Sequence, residues 1–330
     1  MKKFIKLLSL MLVGLFLVAC GSSSETAESS SAVEETKEVV EETKEVVEET
    51  TDEELPSVGF SISTLNNPFF VTMADGAEAK AKELGVSIKV VDAGNDPAKQ
   101  VTDIEDLITT GIDVLIVNPE DSSSVGPAIQ SALDAGIKVI AIDRGVDDAE
   151  IDVYIGTDNV AASEKVGEYL LELLDAEDQI AILEGVPGAS SAIERNEGFL
   201  NALEGNIEIV TSQTANFDRV EGMTVVENLL QANPNIKAIV AANDEMALGA
   251  IEAINASGRV AGEDILVTGF DANDDALAAV KDGTLLLTVQ QKTVAMGETA
   301  IEVAIKLFKG ETVDAEVPVD VTLVDSENVE

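Results

Sequence analysis

The sequence predicts an α/β protein made of two doubly wound lobes, each built on a parallel sheet. Two observations predict this fold class. Short apolar runs such as "DVLIVN" alternate with amphipathic segments, which is the pattern of parallel strands covered by helices on both faces. The alternation then occurs a second time within the 330 residues, a length that suits about two domains. We therefore expect two related lobes and not one large sheet.

The first half of the pattern begins at Val58. Its predicted strands read "SVGFSIS", "SIKVVDA", "DVLIVN" and "KVIAID". Helices are expected over residues 69–84, 98–110 and 125–135. Pro68 suits the first turn of the first of these helices, Asn67 can cap it, and Gly85 ends it.

The second half repeats the first. Its predicted strands read "QIAILEG", "IEIVTSQ", "IKAIVAAN", "DILVTGFD" and "LLLTVQQ", with helices between them. In the first half one strand ends in Asn118 and the next in Asp143, and in the second half Asn243 and Asp271 occupy the matching places. Parallel α/β sheets bind ligands at the carboxyl ends of their strands. Two such edges could face each other across a cleft.

Residues 1–19 are predicted to be an export signal. Three lysines lie among the first six residues, and an apolar run follows that stops at "LVAC". "LVAC" resembles a bacterial lipobox, in which cleavage precedes Cys20 and its thiol receives lipid. A single transmembrane anchor needs about 18–20 apolar residues and fits less well. Cys20 is the one cysteine of the chain, so no disulfide can form within it.

Residues 20–57 are predicted to be a lipidated Cys20 followed by an acidic, disordered tether. The segment is rich in Ser, Thr and Glu, and "EETKEVV" occurs twice in succession. A coiled coil with the Val pairs as its seam is one interpretation, but about three to four heptads are needed for it. Crowded like charges favour a solvated spacer that holds a domain away from the membrane.

Composition excludes several classes of function. The formal net charge is −43, and removal of the signal with its three lysines takes it to −46. Nucleic acid and anionic membrane surfaces are therefore poor partners. Histidine is absent, which excludes Ser-His-Asp and Cys-His catalysis and the usual zinc sites. We predict no cofactor and no metal site.

The few aromatic residues cluster at the predicted strand ends. Aromatic residues make up 3% of the chain. Phe69 and Phe70 follow the first strand, Phe217 follows "IEIVTSQ", and Phe270 follows "ILVTG". One Phe of the adjacent pair could pack under its helix, which is the ordinary role of such a residue. Four rings at strand ends, however, indicate a ligand site.

Two of the four arginines support the same site. Arg144 follows Asp143 at a strand end, and Arg195 lies in the helix after the turn "EGVPGASSA". Arg219, beside Asp218, is interpreted as a structural ion pair. Flat apolar faces combined with Asp, Arg, Asn and Gln suit a sugar, whose C–H faces stack on rings and whose hydroxyls donate and accept hydrogen bonds.

Seven motifs resemble one family. "STLNNPFF", "VNPEDSSSV", "VIAIDRG", "ASSAIERNEGF", "ANFDR", "AANDEMALGAI" and "VTGFDAND" are similar to segments of the D-ribose-binding proteins of bacterial ABC transporters. The similarity runs over residues 58–324. The resemblance implies a type I periplasmic-binding-protein fold, in which three crossover segments join two lobes that close on one sugar. It also implies an extracytoplasmic, monomeric protein that works with ABC permease subunits in the membrane.

The resemblance also implies a set of ligand contacts and lobe boundaries. The matching positions are Ser63, Asn67, Phe69, Phe70, Asn118, Asp143, Arg144, Arg195, Phe217, Asn243, Phe270, Asp271 and Gln291. Gln291 is preferred to Gln290 by counting from Phe270. The N-terminal lobe is then expected over 58–157 and 293–320, and the C-terminal lobe over 158–292 and 321–330.

Several alternatives remain open at this stage. The same scaffold could bind allose, xylose or the furanosyl signal autoinducer-2, whereas galactose and glucose binders of the superfamily typically stack the sugar on Trp, which is absent here. A sugar-responsive repressor would need a helix-turn-helix and a basic surface. A glycosidase could use Asp143 and Asp271, but hydroxyl binding explains both better. "EGVPGASSA" lacks the Lys-Ser/Thr ending of a P-loop and is interpreted as a strand-to-helix turn.

Overall fold

The structure is a computed structural model that describes residues 54–330. The predicted signal peptide, the lipidation site Cys20 and the tether up to residue 53 lie outside the described residues. Strand β1 begins at Ser57, and Leu55 packs against the core next to it. The chain therefore joins the folded part slightly before the predicted end of the tether at residue 57.

The first sheet has six strands, all parallel, in the spatial order β11-β5-β4-β3-β1-β2. In chain order these strands are β1 Ser57–Ile62, β2 Ser87–Asp92, β3 Val114–Val117, β4 Lys138–Ile142, β5 Val153–Gly156 and β11 Glu316–Pro318. Successive residues of β3 point to opposite faces, so that Leu115 enters one core cluster and Ile116 another. Burial on both faces explains why this strand is apolar throughout.

The second sheet also has six strands, in the order β12-β10-β9-β8-β6-β7. These strands are β6 Gln179–Glu184, β7 Glu208–Thr214, β8 Ile236–Ala241, β9 Leu266–Thr268, β10 Leu287–Gln291 and β12 Val321–Asp325. All neighbours pair in parallel except β10 and β12, which are antiparallel. We call the first sheet and the helices that pack on it the first lobe, and the second sheet and its helices the second lobe.

The helices cover both faces of the sheets. They are α1 Pro68–Leu84, α2 Pro97–Thr109, α3 Gly126–Asp134, α4 Asn159–Leu171, α5 Ser190–Leu203, α6 Arg219–Ala232, α7 Asp244–Ala256, α8 Asp274–Lys281 and α9 Thr293–Phe308. The predicted caps of α1 are confirmed: the Asn67 side chain accepts from the Phe69 N–H, Pro68 is the first helical residue, and Gly85 has a left-handed φ of 76°. No helix among residues 54–330 is long and apolar enough to cross a membrane.

The chain passes between the lobes three times, as the predicted fold class requires. The passages follow β5, β10 and β11, and they run through residues 157–158, through Lys292 and through residues 319–320. Helix α9 belongs to the first lobe because its buried residues join the core that contains α1. The predicted fold class is confirmed, including the three crossovers.

Candidate functional site

Nine of the thirteen residues implied by the resemblance line one cavity between the lobes. They are Asn67, Phe69, Phe70, Asp143, Arg144, Arg195, Phe217, Asn243 and Asp271, and Ser191 joins them. The cavity is narrow in this structure, with about 10 Å³ of space for the centre of a water molecule.

The polar groups of the first lobe form a chain across three adjacent strands. The Ser63 hydroxyl donates to Asn118 Oδ1 at 2.7 Å, and Asn118 Nδ2 donates to Asp143 Oδ2 at 3.1 Å. The three side chains are almost fully buried. They follow β1, β3 and β4, which are neighbours in the sheet. Sheet order therefore aligns one carboxylate oxygen of Asp143 before any ligand binds.

A buried ion pair holds Arg144. Its Nη1 donates to the Pro119 carbonyl at 2.9 Å and to Glu120 Oε2 at 3.2 Å. Its Nε is buried without a hydrogen-bond partner, 3.9 Å from Asp143 Oδ2. An unsatisfied buried donor costs roughly 1–3 kcal/mol. A ligand oxygen that accepts from this donor would offset that cost.

The second lobe places Arg195 against Asp271. Arg195 Nε donates to Asn159 Oδ1 at 2.9 Å, and Nη1 donates to the Ala242 carbonyl at 2.8 Å and lies 3.5 Å from Asp271 Oδ1. Gln291 Nε2 also donates to Asp271 Oδ1, at 3.1 Å. Side chains from helix α5 and from the end of β10 thus converge on one carboxylate, and the first residue of α4 holds Arg195 in place.

Aromatic rings and guanidinium groups stack around the cavity. The rings of Phe69 and Phe70 meet edge to face with centroids 5.1 Å apart. The Arg144 guanidinium lies 5.1 Å from the centroid of Phe70 and 5.6 Å from that of Phe217, which belongs to the other lobe. Cation–π attraction of this kind contributes about 0.5–2 kcal/mol. The stacking places the flat phenylalanine rings next to the guanidinium hydrogen-bond donors.

Three site residues have a left-handed backbone. The φ angles are 65° at Asp143, 57° at Phe217 and 118° at Asp271. Such conformations cost of order 1–3 kcal/mol in residues other than glycine, and they are concentrated at ligand clamps and active sites. The backbone at these strand ends therefore points to a role beyond packing.

Burial raises the pKa values of the carboxyl groups at the site. For Asp143 the main cause is desolvation, and the charges of Arg144 and Arg195 oppose it. Desolvation also raises the pKa of Asp271 well above its usual range, with Arg195 again opposing. Both carboxylates are costly to keep charged, and hydroxyl donors from a ligand would stabilise their charged forms.

Four residues implied by the resemblance lie outside this cavity. Ser63 and Asn118 lie behind Asp143, and the Phe270 ring is fully buried 3.8 Å beneath the Arg195 guanidinium carbon. Gln291 lines a neighbouring cavity of about 380 Å³ that shares Phe69 and Asp271 with the site. Gln291 is buried and Gln290 is exposed, which favours the choice of Gln291.

The sequence reasoning missed the groups that support the two arginines. Glu120 lies on a loop and Asn159 is the first residue of α4, and neither has a distinctive spacing in the sequence. Only the fold brings them to Arg144 and Arg195. The prediction that Arg219 forms a structural ion pair is confirmed. This residue pairs with Glu245 and Asp275 at 3.0 Å each, because α6 packs beside α7, and Asp218 instead caps α6.

The turn "EGVPGASSA" touches the opposite lobe. The Ser122 N–H donates to the Gly188 carbonyl at 2.9 Å, and the Gly145 N–H donates to Ser190 Oγ at 2.8 Å. The Ser190 N–H in turn donates to Ser122 Oγ at 3.2 Å. Gly188 has a left-handed φ of 94°, which favours glycine, and a Cβ atom there would lie 2.3 Å from Asp121 Oδ2. These hydrogen bonds connect the lobes beside the cavity.

The arrangement is suited to binding a small polyhydroxylated molecule. Buried carboxylates can accept hydroxyl protons, buried guanidiniums can donate to hydroxyl oxygens, and the rings can cover C–H faces. Among residues 54–330, no group of three or more His, Cys, Asp or Glu could hold a metal ion.

Comparison with known proteins agrees with the fold. The periplasmic binding protein domain matches residues 58–312. Ribose import binding protein RbsB of Bacillus subtilis is 47% identical over 257 residues, which cover 78% of this chain and 83% of that protein.

Two solved structures are also similar. An ABC transporter periplasmic solute binding protein from Actinobacillus succinogenes with bound D-allose is 35% identical, with a TM-score of 0.76, and the match covers 82% of this chain and 98% of that one. An ABC transporter solute binding protein from Bacillus halodurans with bound myo-inositol is 37% identical, with a TM-score of 0.78, over 85% and 98% of the two chains. The resemblance seen in the sequence is confirmed, and the chain belongs to the periplasmic binding protein family.

Proposed function

We propose that this chain is the sugar-binding component of an ABC importer and that it binds D-ribose in the cleft between its lobes. The observation that carries the proposal is the pairing of Arg144 and Arg195 with Asp143 and Asp271 around a small cavity walled by phenylalanine rings. The ligand is bound and released without covalent change. Closure of the two lobes around it completes the contacts.

The chemistry of the cavity supports a monosaccharide. Each hydrogen bond between a ligand hydroxyl and a charged group contributes roughly 1.5–3 kcal/mol, so a few of them determine affinity. A sugar with one hydroxyl in the wrong place would leave a buried group such as Arg144 Nε unpaired. The site therefore selects by hydroxyl configuration.

The comparisons support D-ribose first and D-allose second. The relative from Bacillus subtilis is named for ribose import, and the Actinobacillus succinogenes structure holds D-allose. D-allose is therefore the second candidate, and xylose and autoinducer-2 remain as further ligands to test.

The ligand contacts, the lobe boundaries, the lipid anchor and the tether each have a proposed role. The thirteen residues from Ser63 to Gln291 are proposed as ligand contacts or their direct supports. The lobes are proposed to span 58–157 with 293–320, and 158–292 with 321–330. Lipid on Cys20 would anchor the protein outside the cytoplasm, and the acidic tether would let a monomer reach the permease subunits.

Isothermal titration of the full chain with D-ribose tests the ligand. We expect one site per chain and micromolar or tighter affinity, equivalent to about −8 kcal/mol or better. D-allose, D-xylose, D-galactose and autoinducer-2 are titrated in parallel. Tight binding of one of these without ribose binding would overturn the specificity, and no binding across the panel would overturn the proposed function. Unchanged sugar after long incubation is expected, and turnover would contradict a purely binding role.

Labelling of expressing cells with radioactive palmitate tests the anchor. Label should enter the wild-type chain and be lost in Cys20→Ser. Equal labelling of both chains would refute lipidation at Cys20.

A further inference from the structure

Asp244 is a fully buried carboxylate that lies outside the proposed set of ligand contacts. It is the first residue of α7, directly after the site residue Asn243, and its side chain has 0% exposure. A buried carboxylate is expensive unless hydrogen bonds satisfy it. The donors to Asp244 therefore indicate what it does.

One carboxylate oxygen of Asp244 accepts a hydrogen bond from the segment that follows Asp271, and the other accepts one from strand β10. The Asn273 N–H donates to Oδ2 at 2.8 Å, and the Thr288 hydroxyl donates to Oδ1 at 2.7 Å. The same Thr288 oxygen accepts from the Ala272 N–H at 3.1 Å. In addition, the Asp244 N–H donates to the Phe270 carbonyl at 2.8 Å. Asp244 thus bonds Phe270 and Asn273 directly, and Ala272 through Thr288, on both sides of Asp271.

The segment of residues 270–273 has an unfavourable backbone conformation. Asp271 and Ala272 follow each other with φ angles of 118° and 55°, both in the left-handed region. Two such residues in succession persist only where surrounding contacts enforce them. The Asp244 side chain also packs so closely that a Cβ atom on Gly269 would lie 2.3 Å from its Oδ1.

We propose that Asp244, acting through Thr288 and the backbone of residues 270–273, is a positioning residue that orients Asp271 toward the ligand. The inference rests on the proposed function, because its effect is expressed as sugar affinity. Without this support the segment would relax toward ordinary φ angles. The Asp271 carboxylate would then move away from Arg195 and Gln291, which it meets at 3.5 and 3.1 Å.

Electrostatics gives the positioning a pH dependence. Burial raises the pKa of Asp244 to about 7, and the hydrogen bonds from Thr288 and Asn273 oppose this shift. The charge of Glu245 on the same helix raises the pKa of Asp244 further, and the charge of Arg195 on α5 lowers it. The buried carboxylates of Asp244 and Asp271 also interact, and the charge of Asp244 raises the pKa of Asp271. The charged form accepts both hydrogen bonds, whereas protonation converts one acceptor into a donor. Sugar affinity should therefore weaken as pH falls through about 7.

Titration of D-ribose into Thr288→Val at neutral pH tests the proposal. Valine keeps the shape but removes both hydrogen bonds, and we expect affinity to fall about tenfold, the equivalent of one hydrogen bond to a charged group. Thr288→Ser restores the hydroxyl and should recover affinity to within about threefold of wild type. Thr268→Val is the matched control, because Thr268 Oγ1 is buried on the neighbouring strand without a partner.

The outcomes separate this inference from the proposed function. Sugar binding by wild type and Thr268→Val, with a loss confined to Thr288→Val, would support it. Wild-type affinity in Thr288→Val would overturn it while leaving the sugar-binding function intact. No binding by the wild-type chain would overturn both.

A second variant keeps the test decisive if Thr288→Val fails to fold. Asp244→Asn cannot titrate, and we compare its affinity with wild type from roughly pH 5 to 9. The variant should bind several-fold more weakly at pH 8 and lose the part of the pH dependence centred near 7. An affinity and a pH profile that match wild type would refute the positioning role.

Discussion

The two lobes present one carboxylate each to the cavity, and they support it differently. In the first lobe, Asp143 ends a chain of side-chain hydrogen bonds through Asn118 to Ser63, which follow three neighbouring strands. In the second lobe, Asp271 lies on a left-handed segment held by side chains from α5 and β10. The matching positions in the sequence thus have unequal structural roles.

Because of this difference, substitutions at the site should have different effects in the two lobes. The first-lobe groups share a rigid sheet edge and a buried ion pair, so their removal should disturb the fold. The second-lobe groups meet the crossovers: Gln291 Oε1 accepts from the Thr157 hydroxyl at 2.9 Å, and both residues border a passage between the lobes. Changes in the second lobe should therefore act mainly on binding and closure.

Arg144→Ala should have the largest effect. It removes ligand donors and leaves Glu120 buried without its cation, which costs roughly 3–5 kcal/mol of the free energy of unfolding. We expect no measurable sugar binding, together with a lower urea midpoint. Adding Glu120→Gln should restore part of the stability and none of the binding. A stable Arg144→Ala that binds normally would remove the first lobe from the site.

Asp271→Asn should abolish tight binding without loss of stability. Asparagine keeps the shape, and the substitution removes the charge and replaces one acceptor oxygen with a donor NH2 group. Affinity should fall about 100-fold, because two charged hydrogen bonds to the ligand are weakened. The urea midpoint should stay the same or rise, since burial opposes the carboxylate. Asp282→Asn, at the exposed end of α8, is the control and should change neither.

Gln291→Ala and Gln290→Ala should differ by about tenfold in affinity. Gln291 is buried between Asp271 and Thr157, and Gln290 faces solvent from the same strand. Titration calorimetry with D-ribose distinguishes them. Equal effects of the two substitutions would contradict the assignment of Gln291 and the link from the site to the crossover.

Ser190→Ala should weaken affinity by about threefold to tenfold, the smallest effect of this series. It removes the acceptor of the Gly145 N–H in the other lobe and so disfavours closure. Ser123→Ala is the matched control, because its hydroxyl bonds Asp147 within the first lobe. Small-angle scattering with saturating sugar should show a smaller closed fraction for Ser190→Ala only. The same closed fraction in both would exclude a closing role.

Most of the fold could be predicted from the sequence because its signals are local. The strands from β1 to β4 and from β6 to β10 are short apolar runs, and α1 has its cap, its proline and its terminal glycine in adjacent positions. Strands β5, β11 and β12 were not predicted. They have three to five residues each, and β11 contains a proline. Strands β11 and β12 pair with β5 and β10, which do not directly precede them in the chain.

The sequence by itself determined the type of residue at the end of each strand and the repetition of that pattern in two halves. These features follow from hydrophobic periodicity and turn chemistry, which act within a few residues. Only the tertiary structure decided which partner supports each charge. Glu120 beneath Arg144, Asn159 beneath Arg195 and Asp244 behind Asp271 became neighbours through sheet order and lobe packing. A buried charge needs a partner close in space, and the fold can bring that partner from any distance along the sequence.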